Sequence, residues 1–444
     1  MRIDEIEIRN FRGFDERTFT FDPHMNVVVG NNTSGKTALL HAVQIALGGY
    51  LKYLDLLKVA NQQYRRNFSR SDIRTVYNHE KQEFIPVSVN PLIEAKGYFT
   101  ENIESLDGAP IQQETHIQWS RVLNYNTSDH GDMKSKAKEL ARIRRLEGEK
   151  GRAIMPLMLA FGSKRLVDNY QKVKKTKGVE VAVEKAYKNA LLDSVDFDDA
   201  FDWIYHYGHN LKKGMATEGS NFAFIFALTT AIPALKSIYI NGKDNRFEAQ
   251  YTVTGLPTDY RTYETMSDGF KSTIGIVADM AYRCILLNGF LGEDAVIKTP
   301  GIVLIDEIDQ FLHPRWQRHI LQDLRNAFPN IQFIVTTHSP FIIQSVQNKN
   351  LIALDDVYKT IDPENMGIEE IAQRLMGMEG ELRSEKYRRR KELATEYYRL
   401  VKEGVANANE IAAAKQRLDE IELDNDMKND PVFAALMKSE RSGI

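Results

Sequence analysis

The segment Gly30-Asn31-Asn32-Thr33-Ser34-Gly35-Lys36-Thr37 has the spacing G-x-x-x-x-G-K-[ST], which is suited to hold a nucleotide by its phosphates. Glycines at both ends let the backbone curl until amide N–H groups and a helix N-terminus face the anion. Lys36 should then reach the β- and γ-phosphates, the Thr37 hydroxyl should ligate Mg2+, and Ala38 should continue the helix beside the phosphates. A chance match somewhere in a chain of this length is on the order of one in a hundred at average residue usage.

Three further groups suit the same chemistry. Ile302-Val303-Leu304-Ile305-Asp306-Glu307 is an apolar run ending in two acids, where Asp306 can hold the Mg2+ shell and Glu307 can polarise the attacking water. By itself it could be any strand running into a capped helix; a P-loop upstream gives it meaning. Asp309 and His313-Pro314 follow, where a loop could carry them to a partner subunit. Phe333 to Pro340 reads as another strand with His338 and Ser339 at its carboxyl end. Parallel α/β sheets bind ligands at that edge, so His338 is expected beside Gly30 and Asp306 as a γ-phosphate sensor. Met266-Ser267-Asp268-Gly269-Phe270-Lys271-Ser272 precedes a helix with apolar Ile274, Val277, Ala278, Ala281 and Ile285. A turn with an N-cap explains it. The same geometry gives an anion site from Ser267, the Gly269 amide and Lys271, which could bind a γ-phosphate held by the P-loop of a second chain.

The elements that must position these groups follow from patterning. Apolar residues alternate in short runs from Ile3 to Val29, separated by Arg12-Gly13 and Asp22-Pro23, which reads as strands and a hairpin. From Thr37 an apolar run of helical length reaches Gly48-Gly49, read as a glycine stop. Val87-Ser88-Val89 and Ile111 to Trp119 read as strands, and polar Asn124 to Asp132 as a loop tip. Near the end, Leu393, Tyr397 and Leu400 share one helical face and Ile411, Ala414, Leu418 and Ile421 another, with Gly404 as the turn of a short helical hairpin. Asp430-Pro431 then caps a last helical segment carrying Val432, Phe433, Leu436 and Met437.

With 43% apolar residues in 444, the chain can bury substantial cores in two or three domains. Its net charge of −3 means that any polyanion must be met by a local basic patch. Lys134 to Arg152 offers one, with eight Lys or Arg against three Glu, and Lys172, Lys174, Lys175 and Lys177 offer another. A solvated helical face is the plainer explanation; contact with DNA phosphates is the functional one. A single cysteine, Cys284, excludes a disulfide framework within one chain, suits a cytoplasmic setting and reads as a buried small apolar side chain. The acidic opening and the short apolar runs give neither an export signal nor a membrane span.

The order of P-loop, Ser267-Asp268-Gly269, Asp306-Glu307 and His338 resembles the ABC-type head of the RecF, SMC and OLD ATPases. The opening Ile8-Arg9-Asn10-Phe11-Arg12-Gly13-Phe14 is similar to their I-x-N-F-R strand, which implies that Asn10 and Arg12 lie near the adenine. The signature departs from transporters at Met266, Asp268 and Phe270, and Gln112, Gln113 and Gln118 are all candidates for the Q-loop glutamine. Phe161-Gly162-Ser163-Lys164-Arg165 looks like a block of the short RecF-like ATPases, which would bring Arg165 towards nucleotide.

Thr37 and Ser267 are too close in sequence for long coiled-coil arms, and the residues after His338 lack a TOPRIM strand-acid pattern. What remains looks like the compact anti-phage ATPases of the Septu (PtuA-like) type. That implies an α/β, ABC-type P-loop head with lobes at 1–125 and 246–360, a basic, mainly helical insertion at 126–245, and a helical hairpin and tail at 361–444 for partner binding. It implies Mg2+-dependent ATP hydrolysis, a homo-oligomer of ATP-sandwiched heads, and an HNH nuclease partner in trans. The alternative is a RecF-like DNA-clamping or repair ATPase that lays residues 134–177 along duplex DNA.

Overall fold

The computed structural model describes all residues except 58–64, 105–110, 125, 146–151, 164–181, 194–197, 207–217, 242–245, 254–255, 258–259, 356–361, 377–384, 404–407 and 423–444. The chain divides into two compact units, Met1–Gly377 and Met378–Ile444.

Two sheets enclose the first helix of the larger unit. Strands β1 (Arg2–Phe11), β2 (Phe14–Thr20) and β3 (Met25–Val29) open the chain, followed by α1 (Lys36–Tyr53). A small hairpin of β4 (Thr75–Asn78) and β5 (Glu83–Pro86) precedes long β6 (Leu92–Glu104) and β7 (Ile111–Leu123), then β8 (Thr127–Gly131). After α2 (Met133–Arg145) come β9 (Arg152–Ala153) and β10 (Leu157–Phe161). The antiparallel sheet runs β2-β1-β6-β7-β8, with β9 on β6.

Helices α3 (Ala182–Tyr187), α4 (Asp198–Tyr205) and α5 (Glu218–Ala231) lead to β11 (Leu235–Asn241), β12 (Arg246–Val253), β13 (Leu256–Pro257) and β14 (Arg261–Thr262). The long α6 (Asp268–Asn288) is followed by β15 (Gly301–Ile305), α7 (Pro314–Gln317), α8 (Ile320–Ala327) and β16 (Ile331–Thr336). Then come α9 (Pro340–Gln344), β17 (Leu351–Ala353) and α10 (Ile368–Leu375). The second sheet is wholly parallel, in the order β10-β15-β16-β3-β17. Strands β3, β10, β15 and β16 are buried along their whole length, which is why they read as continuous apolar runs without alternation.

Helix α1 contacts both sheets and is buried from Ala38 to Leu51, so its sequence is mainly apolar there, with His41 and Gln44 as buried polar exceptions. It does not stop at Gly48-Gly49 as the sequence suggests. A Cβ at Gly48 would lie 2.6 Å from Arg121 Nη1 and 2.8 Å from the Arg66 carbonyl, so the glycine lets a buried arginine approach the helix. Two other local expectations are corrected. Val87–Val89 lies past the end of β5, and Thr127–Gly131 is a strand paired with β7. Strands β8, β9 and β10 belong to the two sheets of the head, so the described part of this region holds strands as well as helix α2.

Helix α6, with the turn up to Asp294, is long and apolar enough to cross a membrane, but 78% of its most apolar window is buried inside the fold. Its Cys284 is fully buried, and burial pushes the thiol up to about 12. In the smaller unit, α11 (Glu385–Glu403) and α12 (Ala408–Glu422) pack through Ala394, Tyr397 and Ala414, with Leu393, Leu400 and Ile411 beside them. The turn at Gly404 and the segment from Asp430 lie outside the described residues.

Candidate functional site

Parallel pairing brings the carboxyl ends of β3, β15 and β16 side by side, and the groups named above sit at these ends. Gly30 to Gly35 forms the loop from β3 into α1. Gly35 is the N-cap residue with φ 104°, and a Cβ there would lie 2.8 Å from the Phe14 ring, so both backbone and packing require glycine. The Lys36 ammonium is buried and donates to the carbonyls of Gly30 (2.7 Å) and Asn31 (2.9 Å). Burial lowers its pKa, against the pull of Asp306, Asp355, Glu307 and Asp309. Asn31 N–H donates to Asp355 Oδ2 (2.9 Å), which ties the loop to the end of β17. Asn32, Thr33 and Ser34 complete the loop; Asn32 and Thr33 are exposed.

Four groups form a continuous chain of hydrogen bonds across the strand ends. Thr37 Oγ1 donates to Asp306 Oδ2 (3.1 Å), and Thr336 Oγ1 donates to Asp306 Oδ1 (2.6 Å). The same Thr336 oxygen accepts the Glu307 backbone N–H (2.7 Å). Glu307 has φ 49°, a left-handed conformation that costs a non-glycine residue about 1 kcal/mol and here turns the chain sharply after β15. Thr336→Val keeps the shape of the side chain and removes both bonds. The expected result is a turnover about 10²-fold lower with ATP affinity little changed, because Asp306 and Glu307 lose their shared orientation. Separate equilibrium nucleotide-binding and steady-state hydrolysis measurements on the variant check this.

Asp309 is half-buried and bonded within its own chain. Its Oδ1 accepts from Thr337 Oγ1 (2.6 Å) and from His338 N–H (3.2 Å), fixing the backbone from which the half-buried His338 ring projects. Gln317 clamps the other side, donating to the carbonyls of Asp309 and Leu312 and accepting from Ser339 Oγ (2.6 Å). His313 caps α7, its Nδ1 accepting from Arg315 N–H.

Ser267 is the N-cap of α6 and its Oγ accepts from Phe270 N–H at 3.5 Å. Ser267 and Asp268 are exposed, and Lys271 Nζ lies 3.6 Å from Asp268. Gly269 is buried, and a Cβ on it would meet the Phe311 carbonyl at 2.4 Å. Glycine therefore lets α6 sit against the loop that follows β15. Among the described residues, no hydrogen bond or ion pair joins Ser267 to Lys271 with the P-loop.

Asn10 and Arg12 lie at the end of β1 and the turn after it, each with φ 51°. The Arg12 guanidinium is held by fully buried Asp72 (2.8 Å), and Arg12 N–H donates to the Asp72 carbonyl. Burial pushes the Asp72 carboxyl up, but bonds from Ser69 and Arg12 outweigh it and hold it below the usual range. The glutamines Gln112, Gln113 and Gln118 lie on β7 in the antiparallel sheet. At the carboxyl end of β10, the strand beside β15, stand Gly162 and Ser163 instead; Lys164 and Arg165 lie outside the described residues.

Sequence reasoning missed Thr336, Gln317, Asp355 and Asp193. Asp193 accepts from His41 and Gln44, both on α1 just past Thr37, and from Arg66. Burial raises its carboxyl, but the bonds from His41 and Gln44 prevail and leave it well below the usual range. The adjacent Thr336-Thr337 pair before His338 was the one signal in sequence; the others come from distant segments.

The family model of an AAA domain (AAA_23) matches residues 5–203. The chain is 25% identical over 425 residues to a retron Vc95 probable ATPase of Vibrio cholerae, covering 82% of this chain and 76% of that protein. It is 24% identical over 439 residues to the Septu protein PtuA of Bacillus thuringiensis, covering 94% of this chain and 93% of that one. A shorter stretch of 43 residues is 44% identical to the DNA replication and repair protein RecF of Lactobacillus johnsonii, covering 10% of this chain. With the order of motifs and the sheet that aligns them, these similarities identify the chain as an ATPase that binds and hydrolyses ATP and that is similar in sequence to the Septu and retron ATPases.

Proposed function

We propose that the protein is the ATPase subunit of an anti-phage defence complex that controls an HNH nuclease supplied by a separate chain. The observation that carries the proposal is the split arrangement of the site. Thr37, Asp306, Thr336 and Glu307 are bonded into one cluster, while Ser267 and Gly269 present a helix N-terminus that, among the described residues, is joined to it by no recorded hydrogen bond. Two copies arranged head to head would complete each other's sites, with Ser267, the Gly269 amide and Lys271 of one chain on the γ-phosphate held by the P-loop of the other.

Within each site Gly30 to Ala38 grips the phosphates and Lys36 leaves its two loop carbonyls for the β- and γ-oxygens. Thr37 and Asp306 fit a Mg2+ ion, being a hydroxyl and a carboxylate already 3.1 Å apart. Bound there, the ion would neutralise charge developing between the β- and γ-phosphates. Glu307 takes a proton from the attacking water, and His338 senses the γ-phosphate from the neighbouring strand end. Asn10 and Arg12 border the adenine. The heads would report nucleotide state to a nuclease docked on the α11–α12 hairpin.

Affinity purification of the tagged full chain from its native host, with ATP and without, followed by DNA-cleavage assays on what co-purifies, tests the proposal. A small HNH protein whose cutting responds to ATP is expected. A chain that returns alone and binds plain DNA in an ATP-dependent way would sink it in favour of a DNA clamp. One feature favours that second reading: Lys134, Lys138 and Arg142 are exposed at successive steps of four along α2, a basic row opposite buried Met133, Ala137, Leu140 and Ala141. Arg144 belongs to the fold instead, donating to the carbonyls of Ala153 and Leu287, and Arg145 donates to the Asp55 carbonyl. Charge reversal that probes DNA binding should therefore fall on Lys138 and Arg142. The second basic cluster, Lys172 to Lys177, lies outside the described residues.

A further inference from the structure

A cavity of about 410 Å³ opens behind the signature helix, between the end of α5, strands β11 and β12, and helices α7 and α8. Ala231, Ile232, Pro233 and Ala234 give it an apolar side, and Trp316 adds an aromatic ring. Its volume falls in the range of preformed small-molecule sites. Lys236 and Arg315 line it as well, and neither cation has an acidic partner among the described residues. His319 stands beside them, one helical turn before an acid of the lining, Asp323, which burial raises above its usual range. The Thr252 hydroxyl is buried in the wall and has no hydrogen-bond partner among the described residues.

We infer that this cavity binds a small organic anion, a carboxylate or phosphate on a flat apolar body, and that its occupancy tunes the signature segment. The apolar side and Trp316 receive the body, Lys236 and Arg315 the charge, and Thr252 supplies a hydroxyl donor. The path to the nucleotide is short. Trp316 meets Phe270 edge-on at 4.3 Å between centroids, and Phe270 follows Gly269 directly. Thr273 lines the cavity and donates its hydroxyl to the Gly269 carbonyl (2.8 Å). Trp316 is also followed by Gln317, the clamp on Asp309 and Ser339. A ligand that fixes the Trp316 ring therefore acts on both Gly269 and the loop behind Glu307. The tuning, but not the binding, rests on the function proposed above for Ser267 and Gly269.

The test uses the full chain with excess ADP in the P-loop, titrated with 1-naphthoate and with 1-naphthyl phosphate and followed by Trp fluorescence and calorimetry. One saturable site is expected, weakened at least about tenfold by Lys236→Glu and by Arg315→Glu, with uncharged naphthalene binding more weakly still. The arm that binds more tightly tells carboxylate from phosphate. Both substitutions are on exposed side chains, so the folded state is retained and ADP affinity serves as the internal control. Equal affinity of the three proteins for both anions would overturn the site. Saturating probe should change ATP turnover severalfold in the unmodified protein and leave it unchanged in the Lys236→Glu protein. Binding without any change in turnover would overturn the coupling while leaving the ATPase assignment intact.

Discussion

Glu307→Gln should lower ATP turnover by about 10²- to 10³-fold while ATP still binds, because the amide keeps the size of the side chain but cannot accept the proton of the attacking water. The backbone that presents residue 307 is set independently of its side chain, by the Thr336 bond to its N–H and the left-handed turn, so the substitution should not disturb the fold. In the head-to-head arrangement proposed above, a stalled site would hold ATP between heads. The variant should therefore run as a dimer in size-exclusion chromatography with ATP and as a smaller species without it. Adding Ser267→Arg should abolish that dimer, since an exposed arginine at the N-cap fills the place of the other chain's γ-phosphate. Turnover equal to that of the unmodified protein would remove Glu307 from the role of base. A dimer that survives the second substitution would remove Ser267 from the interface.

Arg121→Met should destabilise the chain by about 3–5 kcal/mol, the cost of leaving buried charge and acceptors uncompensated. Arg121 is fully buried and binds the Asp129 carboxylate, the carbonyls of Ile45 and Arg66, and Asn67 Oδ1. Burial pulls the guanidinium below its ordinary value, yet Asp129 keeps it charged. Methionine fills a similar volume and pairs none of these groups. Urea denaturation of the full chain, read at the first transition, measures the loss, and recovery of ATP binding in stabilising osmolyte would show that the defect is in folding.

The same pair gives a pH dependence. Burial pushes the Asp129 carboxyl up, but Arg121 and Lys52 hold it below its usual value. A depressed carboxyl contributes its stability above the unfolded value of about 3.9 and loses it as pH falls through the folded value. Asp72 is depressed in the same direction, so acid should unfold the antiparallel sheet side of the head below about pH 4. In the Arg121→Met protein the Asp129 part of that acid sensitivity should shrink.

The separate contributions of sequence and tertiary structure show in particular residues. Strands β3, β15 and β16 were legible because each is a short apolar run with a chemical group at its carboxyl end, and a parallel sheet buried on both faces requires that pattern. The helix after Lys36 was legible in its start but not its end. Gly48 looks like a stop until Arg121 is seen against it, and the two are far apart in sequence. The hairpin of the smaller unit followed from helical spacing at Leu393, Tyr397, Ile411 and Ala414, since local periodicity suffices to pair adjacent helices.

Sequence alone determined which residues could grip phosphate, polarise water and cap the signature helix, because those motifs are contiguous and their chemistry is local. Only the tertiary structure decided what holds them in place. Thr336 joins Asp306 to Glu307 from a neighbouring strand, Asp309 and Gln317 brace the His338 segment from the loop before it, and Asp355 ties the P-loop from the far edge of the sheet. The cavity lined by Lys236 and Arg315 is likewise assembled from separate elements. Such contacts depend on strand order and helix packing, and no short window of sequence encodes either.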